Sequence, residues 1–444
     1  MYAYESFKML ANAPHISRGR IPVLIFVLLA GTYAYFYQGG GSNQLSRLAM
    51  TRAIVEDHVL YINKYSADTQ DVRVYPPLPR DLMRHPELKN LIYSNKAPGS
   101  SLWAVPFWAI SRFGVSRIFQ QEWQRLTLSV YLTTILALGL PCAGGMVVFY
   151  LWLSKTTRRP GRSLFVTLAL GLGSPFFPYA TMYYSHSLAA VSLFTAFAIT
   201  WWLAHDEGAI RYHGLTAFLG GLLIGFGVLL EYTAVLPAIL LFGYMLAVVR
   251  PKNRLCWAVS GVGMTALVLL VFNYLVSGRL LYMTYFDLKP SAGGYAFAGV
   301  GDAAFHLPRL SIVPQLLFGK AKGLLYACPW LGLGFPGYWA MKRQGFGKEA
   351  LLFFSIVMGQ VILITGFGKD ICFWGGLLGV HVPLPDRHAS LPSRWSGLPP
   401  GQVPGGDLSF GFPQYVHCDR GHGGYASHLL PGNRSHWGFH PSPL

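Results

Sequence analysis

The chain has 444 residues, 52% of them hydrophobic, 15% aromatic and only 12% charged, about half the charge of an ordinary soluble domain. That deficit is what a surface facing lipid would produce. The formal charge of +17 raises nucleic acid as a partner, but no helix-turn-helix, zinc-finger or aromatic RNA-binding pattern accompanies it. Membrane proteins gather Lys and Arg beside anionic lipid, so membrane lipid is the expected partner and nucleic acid is not.

Taken in order, a short tail (residues 1–20) with Lys8, Arg18 and Arg20 leads into an apolar run from Ile21 to Tyr37. It has no small-x-small cleavage site before Gln38 and reads as a retained anchor. Further runs long enough, or nearly so, to span about 30 Å of hydrocarbon follow at Leu126–Leu153, Leu164–Ala180, Ser187–Ala204, Leu215–Leu230, Thr233–Val249, Leu255–Val276, Leu324–Met341 and Ala350–Phe367. The expected fold class is therefore an all-α polytopic membrane protein with about nine transmembrane helices. A large first outer loop, about 39–125, carries interfacial helices, and a second outer loop covers about 277–323. Ser101–Phe113, apolar and aromatic but holding Pro106, is expected to lie along the membrane interface.

Short loops set the orientation. Lys155, Arg158, Arg159 and Arg162 share one, Arg211 lies in another, Arg250, Lys252 and Arg254 in a third, and Lys342, Arg343 and Lys348 in a fourth. The alternating connectors at Met182–His186 and Glu231–Tyr232 contain neither Lys nor Arg. The positive-inside rule puts the N-terminus and the basic loops in the cytoplasm. After Gly376 the composition changes abruptly. Residues 377–444 hold seven of the fourteen histidines and ten prolines, and read as a change of reading frame, as disorder or, least favoured for want of repeated ligand spacing, as a metal-binding tail. The five cysteines form no CxxC pair, which argues against a zinc site or a disulfide framework. No cofactor follows with certainty, and a divalent metal is left open.

No GxxxxGK[ST], GxGxxG after a strand, HExxH or GxSxG is present, which counts against ATP-driven transport and the common hydrolase mechanisms. Acids and bases in the outer loops remain. The first loop has Glu56, Asp57, Asp68, Asp71, Asp81 and Glu87, then Tyr93-Ser94-Asn95-Lys96-Ala97-Pro98-Gly99. Acids in a wet loop are ordinarily just solvated. A lysine beside Pro-Gly at the start of an interfacial helix is more specific, being well placed to meet a lipid phosphate at a helix N-terminus; simple anchoring to headgroups is its plainer role. Glu231 interrupts an apolar stretch, where an acid is a functional candidate unless a hairpin tip merely hydrates it.

Ser42-Asn43-Gln44-Leu45-Ser46-Arg47, Ala53-Ile54-Val55-Glu56-Asp57, Asp71, Tyr93 to Gly99 and Pro106 together resemble the first outer loop of a bacterial branch of the GT-C superfamily. These are integral-membrane glycosyltransferases similar in plan to protein O-mannosyltransferases and lipid A aminoarabinose transferases. Weaker echoes are Tyr184-Ser185-His186, Leu317-Phe318-Gly319, Gly323-Leu324-Leu325 and Trp374-Gly375-Gly376, and the resemblance covers roughly residues 20–376. It implies a polyprenyl-phosphate sugar donor, an acceptor at the outer face of a bacterial plasma membrane, and inversion at the anomeric carbon. Such a reaction needs a carboxylate to take the acceptor proton and cations for the departing phosphate.

Better-known members carry an acid just after the first span, where this chain has Asn43 and Gln44, so the base must lie elsewhere or be absent. Asp71 is the first candidate, then Glu56 and Asp57. Lys96 leads for the donor phosphate, with Arg47 and Arg279 behind it. Tyr93, His186 and Glu231 are candidates for substrate binding, though an interfacial Tyr or His is more often part of the aromatic belt. Tyr282, Tyr285, Asp287 and Lys289 could help cover the site. Two other readings remain: a non-catalytic or truncated relative, and a multi-pass transporter or flippase of lipid-linked sugar, which the scarcity of charge within the spans disfavours.

Overall fold

The computed structural model describes residues 19–69, 71–75, 90–205, 211–281, 308, 310–320 and 323–366. In chain order the principal elements are α1 (Arg20–Tyr35), α2 (Ser42–Arg52), β1 (Val72–Tyr75), β2 (Leu91–Ser94), α3 (Gly99–Ile118), α4 (Glu122–Thr157), α5 (Pro160–Leu172), α6 (Phe176–Thr181), α7 (His186–His205), α8 (His213–Leu230), α9 (Tyr232–Val248), α10 (Arg254–Ser277) and α11 (Gly347–Gly366). Apart from the β1–β2 hairpin, the described chain is all-α. Among the described residues, five helices are long and apolar enough to cross a membrane: α4, α7, α8, α10 and, from Gly347 to Thr365, α11. Three shorter apolar helices, α1, α5 and α9, accompany them. Several such helices in one chain are the mark of a multi-pass membrane protein.

The expected run Leu164–Ala180 is broken between α5 and α6, because Pro175 has no N–H to continue a helix and Ser174 Oγ instead accepts the Phe176 N–H at 3.1 Å. Leu324–Met341 is likewise not one helix. It forms a short helix Leu324–Ala327, a tight turn Pro329–Leu333 and a helix Gly334–Arg343. Pro329 disfavours the helical region for the residue before it, and Cys328 sits at φ −146°. The Cys328 thiol and the Trp330 indole both donate to the Gly173 carbonyl, at 3.3 and 3.1 Å, so this broken segment docks against the end of α5. Of the about nine spans expected from hydropathy, Leu164–Ala180 and Leu324–Met341 are therefore not continuous helices.

Ser101–Phe113 belongs to a longer helix, α3. Ser101, Ala104, Trp108, Ser111 and Val115, spaced three and four residues apart, face inward, while Ile110, Phe113 and Ile118 are exposed. That one-sided pattern is what an amphipathic helix requires. Helix α4 contains a π turn at Ile135–Gly139, and the Trp103 indole donates to its Ala137 carbonyl at 2.8 Å. Between α8 and α10 the backbones touch: a Cβ on Gly221 would collide with the Ala258 carbonyl, and one on Gly261 with that of Phe218. Small residues permit such close approach where lipid supplies no hydrophobic drive between helices.

The two largest apolar cores among the described residues bind these helices together. One joins α1, α3, α4 and α7 through Leu29, Tyr33, Trp108, Leu138, Cys142 and Leu188. The other joins α4, α7, α8, α9, α10 and α11 through Trp152, Phe197, Ile224, Leu241, Ala258 and Leu352. Asp81, Glu87, Tyr282, Tyr285, Asp287, Lys289, Trp374-Gly375-Gly376 and the 377–444 tail lie outside the described residues.

Candidate functional site

Four polar stretches converge at one end of these helices: α2, the segment after β2, the connector before α7, and the break between α8 and α9. Gln38 bridges to Met182, and its N–H reaches the Thr181 carbonyl at 3.0 Å. Gln44 Oε1 accepts the Tyr183 N–H at 3.3 Å. The hairpin pairs Val72 with Ser94, bringing Asp71 beside Asn95, whose N–H donates to the Asp71 carbonyl at 3.3 Å. Gly99 then lets α3 start against α8. A Cβ there would lie 2.5 Å from the carbonyl carbon and oxygen of Leu229 and 2.7 Å from Leu230 N, so only glycine fits beside the residues preceding Glu231.

Helix α2 is polar in sequence yet buried from Ser46 to Thr51. Buried polar groups must find partners, and these do. Arg47, 1% exposed, donates through Nε to Asn43 Oδ1 and through Nη1 to Ser100 Oγ, both at 2.9 Å. Its Nη2 is 3.5 Å from Glu231 Oε2. Glu231, 7% exposed, ends α8 with an extended backbone at φ −149°. Its Oε2 also accepts Ser185 Oγ–H at 2.6 Å and faces His186 Nδ1 at 3.4 Å. The His186 ring stacks on Tyr184 and meets Tyr179 edge-on.

Lys96, 8% exposed, forms a 2.9 Å ion pair with Asp71 Oδ1. Ser46 Oγ donates to the Asp71 carbonyl at 2.6 Å and is 2.7 Å from Ser94 Oγ, which pins the Asp71 backbone. Burial draws the Lys96 ammonium toward its neutral form, opposed by Asp71. For Glu231 burial is the largest single influence and raises its proton affinity. His186, Arg47, Ser185 and Lys96 together overcome it and hold the carboxyl below its usual range. Asn95 Oδ1 is buried without a donor among the described residues.

Of the candidate residues, Asp71, Lys96, Arg47, His186 and Glu231 thus come together in one network, with Arg47, Lys96 and Glu231 buried and Asp71 and His186 part-buried. Glu56 and Asp57 sit apart, in a π turn that continues α2. Glu56 pairs with Arg52 at 2.7 Å and Arg112 at 3.4 Å and accepts the Trp108 indole at 3.2 Å. Asp57 binds Lys64 and Tyr65 at 2.8 and 2.6 Å. Tyr93 is buried with Leu91 and Val276 and meets Tyr61 edge-on. Arg279 is exposed just beyond α10. Among the described residues, no three His, Cys, Asp or Glu side chains are grouped so as to hold a metal ion.

Sequence reasoning did not single out Ser46, Ser94 or Ser100, and passed over the structural use of Asn43 and Gln44. The Asn43–Arg47 spacing of four residues on a helix is the one local signal that could have found a pair. No family model, curated protein or solved structure matches the chain.

Proposed function

We propose that this chain is a membrane glycosyltransferase of the GT-C plan, moving a sugar with inversion from a polyprenyl-phosphate donor to an acceptor at the outer face of a bacterial plasma membrane. One observation carries the reading: two ion pairs from separated parts of the chain, Arg47–Glu231 and Lys96–Asp71, lie together with Arg47, Lys96 and Glu231 buried and Asp71 part-buried, and Lys96 feels the charges of the other pair. Buried charge is costly unless paired, and a chain that places these pairs beside a break between two apolar helices supports chemistry there.

In this reading Asp71 takes the acceptor hydroxyl proton while the acceptor oxygen forms its bond to the anomeric carbon from the face opposite the leaving group. The bond from that carbon to the phosphate oxygen breaks, and the electron pair leaves with the polyprenyl phosphate. Lys96, backed by Arg47, stabilises the charge on that phosphate. His186 and Glu231 line the same place, and the open Asn95 acceptor suits a sugar hydroxyl. A nine-span topology with a cytoplasmic N-terminus needs α1, α5 and α9 to cross beside the five long helices, and the broken Leu324–Arg343 segment to complete the set.

The test is turnover in proteoliposomes supplied with radiolabelled polyprenyl-phosphate pentose and hexose together with bacterial envelope lipid, glycan and protein as acceptors. Wild-type protein should release polyprenyl phosphate, and Asp71→Asn should release none while inserting and expressing normally. Undiminished turnover by Asp71→Asn removes Asp71 as the base.

A further inference from the structure

The charges of the buried cluster balance. Arg47 and Lys96 face Asp71 and Glu231, with His186 beside them. An incoming phosphate therefore meets a site whose cations are already neutralised. Adding an anion to a buried neutral cluster carries a large desolvation cost unless a carboxylate gives up its cation.

The two carboxylates are not equally able to do so. Glu231 Oε2 is held by Ser185 at 2.6 Å, with Arg47 and His186 at 3.5 and 3.4 Å, at a break between two helices. The backbone of Asp71 is fixed on both sides: Ser46 donates to its carbonyl, and its own N–H donates to Thr69 Oγ1 at 3.1 Å. Among the described residues its carboxylate has one partner, Lys96. Rotation of the Asp71 side chain would break one ion pair and leave the backbone hydrogen bonds intact. The Asp71 side chain is 13% exposed against 9% for Glu231, so Asp71 is the more accessible of the two carboxylates.

We propose that a phosphate monoester or diester binds by exchange, displacing the Asp71 carboxylate from Lys96 and releasing it for proton abstraction. This rests on the proposed transferase reading and adds an order of events to it. The carboxylate is silenced by Lys96 until the anion arrives, so the donor binds before Asp71 can act on an acceptor. Without the donor, no unpaired base is exposed to activate water.

The exchange makes Asp71 a competitor of the phosphate, which a binding experiment can read without turnover. Detergent-solubilised protein would be titrated with a short-chain prenyl phosphate, with inorganic phosphate and with the corresponding prenyl alcohol. Asp71→Asn removes the competitor and should bind the prenyl phosphate about tenfold more tightly than wild type. Its thermal shift on binding should also be larger, because the ligand restores a counter-charge to a buried lysine. The alcohol should bind both proteins alike. A gain confined to prenyl phosphate assigns a lipid headgroup, and an equal gain with inorganic phosphate assigns free phosphate; either supports exchange. If Lys96→Gln weakens phosphate binding while Asp71→Asn binds no more tightly than wild type, exchange is overturned and the phosphate site stands. If Lys96→Gln binds as wild type does, the phosphate site and the transferase reading fail together. Should Asp71→Asn not fold, Asp71→Ser carries the same expectation and the same refutation.

Discussion

Replacing Arg47 by Met and Glu231 by Gln, singly and together, probes the deepest part of the cluster. Each single change leaves a buried charge without its partner, and breaking a buried pair from one side costs about 3–5 kcal/mol. Arg47→Met should be the more costly, because it also strands Asn43 Oδ1 and Ser100 Oγ, each 2.9 Å from the guanidinium. Glu231→Gln keeps an oxygen for Ser185 and removes only the charge. In the double variant neither ion remains to be desolvated, so its loss should fall well short of the sum of the singles, by at least about 2 kcal/mol. Reversible unfolding in mixed micelles, titrated with a denaturing detergent, measures all four corners of the cycle. Losses under about 1 kcal/mol for both singles, or additivity within about 0.5 kcal/mol, would show that the two side chains are not a buried coupled pair.

Gly99→Ala places a Cβ 2.5 Å from the Leu229 carbonyl group, a backbone that cannot rotate away. Overpacking of this kind costs about 1–3 kcal/mol, and the shift should move Lys96 and weaken binding of a prenyl phosphate; unchanged stability and affinity would refute the close approach. Burial raises the proton affinity of Asp57, but hydrogen bonds from Lys64 and Tyr65 outweigh it and leave the carboxyl below its usual range. The stability this supplies is present above the unfolded carboxylate value of about 3.9 and fades as pH falls through the lower folded value. Because Lys64 is largely exposed, the contribution should not exceed about 1 kcal/mol. Acid unfolding of Asp57→Asn should therefore differ from wild type at neutral pH and converge with it in strong acid, and parallel curves would count against the pairing.

The helices α7, α8 and α10 were legible in the sequence to within a residue or two, because each is an unbroken apolar run bounded by polar residues. The breaks at Gly173–Pro175 and around Pro329 were not. Hydropathy averages over Pro and Gly, whereas the helix depends on a donor that proline lacks. The cluster was partly legible. Lys96 stood out as a cation beside Pro-Gly at a helix start and Glu231 as an acid in an apolar stretch, whereas Asp71 was picked out only by the family resemblance. Nothing local told Arg47 that its partner was Glu231, because that contact depends on how α2 and α8 pack. The serines carried no signal, being common everywhere and informative only when buried. Asn43 and Gln44 looked like a lost acid. In the structure they hold Arg47 and Tyr183, a positional duty that an amide performs without adding charge.

The π turn at Ile135–Gly139 makes one long apolar helix serve as two. An extra residue in a single turn advances the side-chain phase by roughly 100° relative to a regular helix. Before the turn, α4 packs against α3; after it, against α1, α5 and α7. Hydropathy sees one stripe, but the packing surfaces on either side are out of register, and the Trp103 indole occupies the carbonyl at the seam. The five residues of that turn thus set the rotation between the part of α4 that supports the first loop and the part that belongs to the helix bundle.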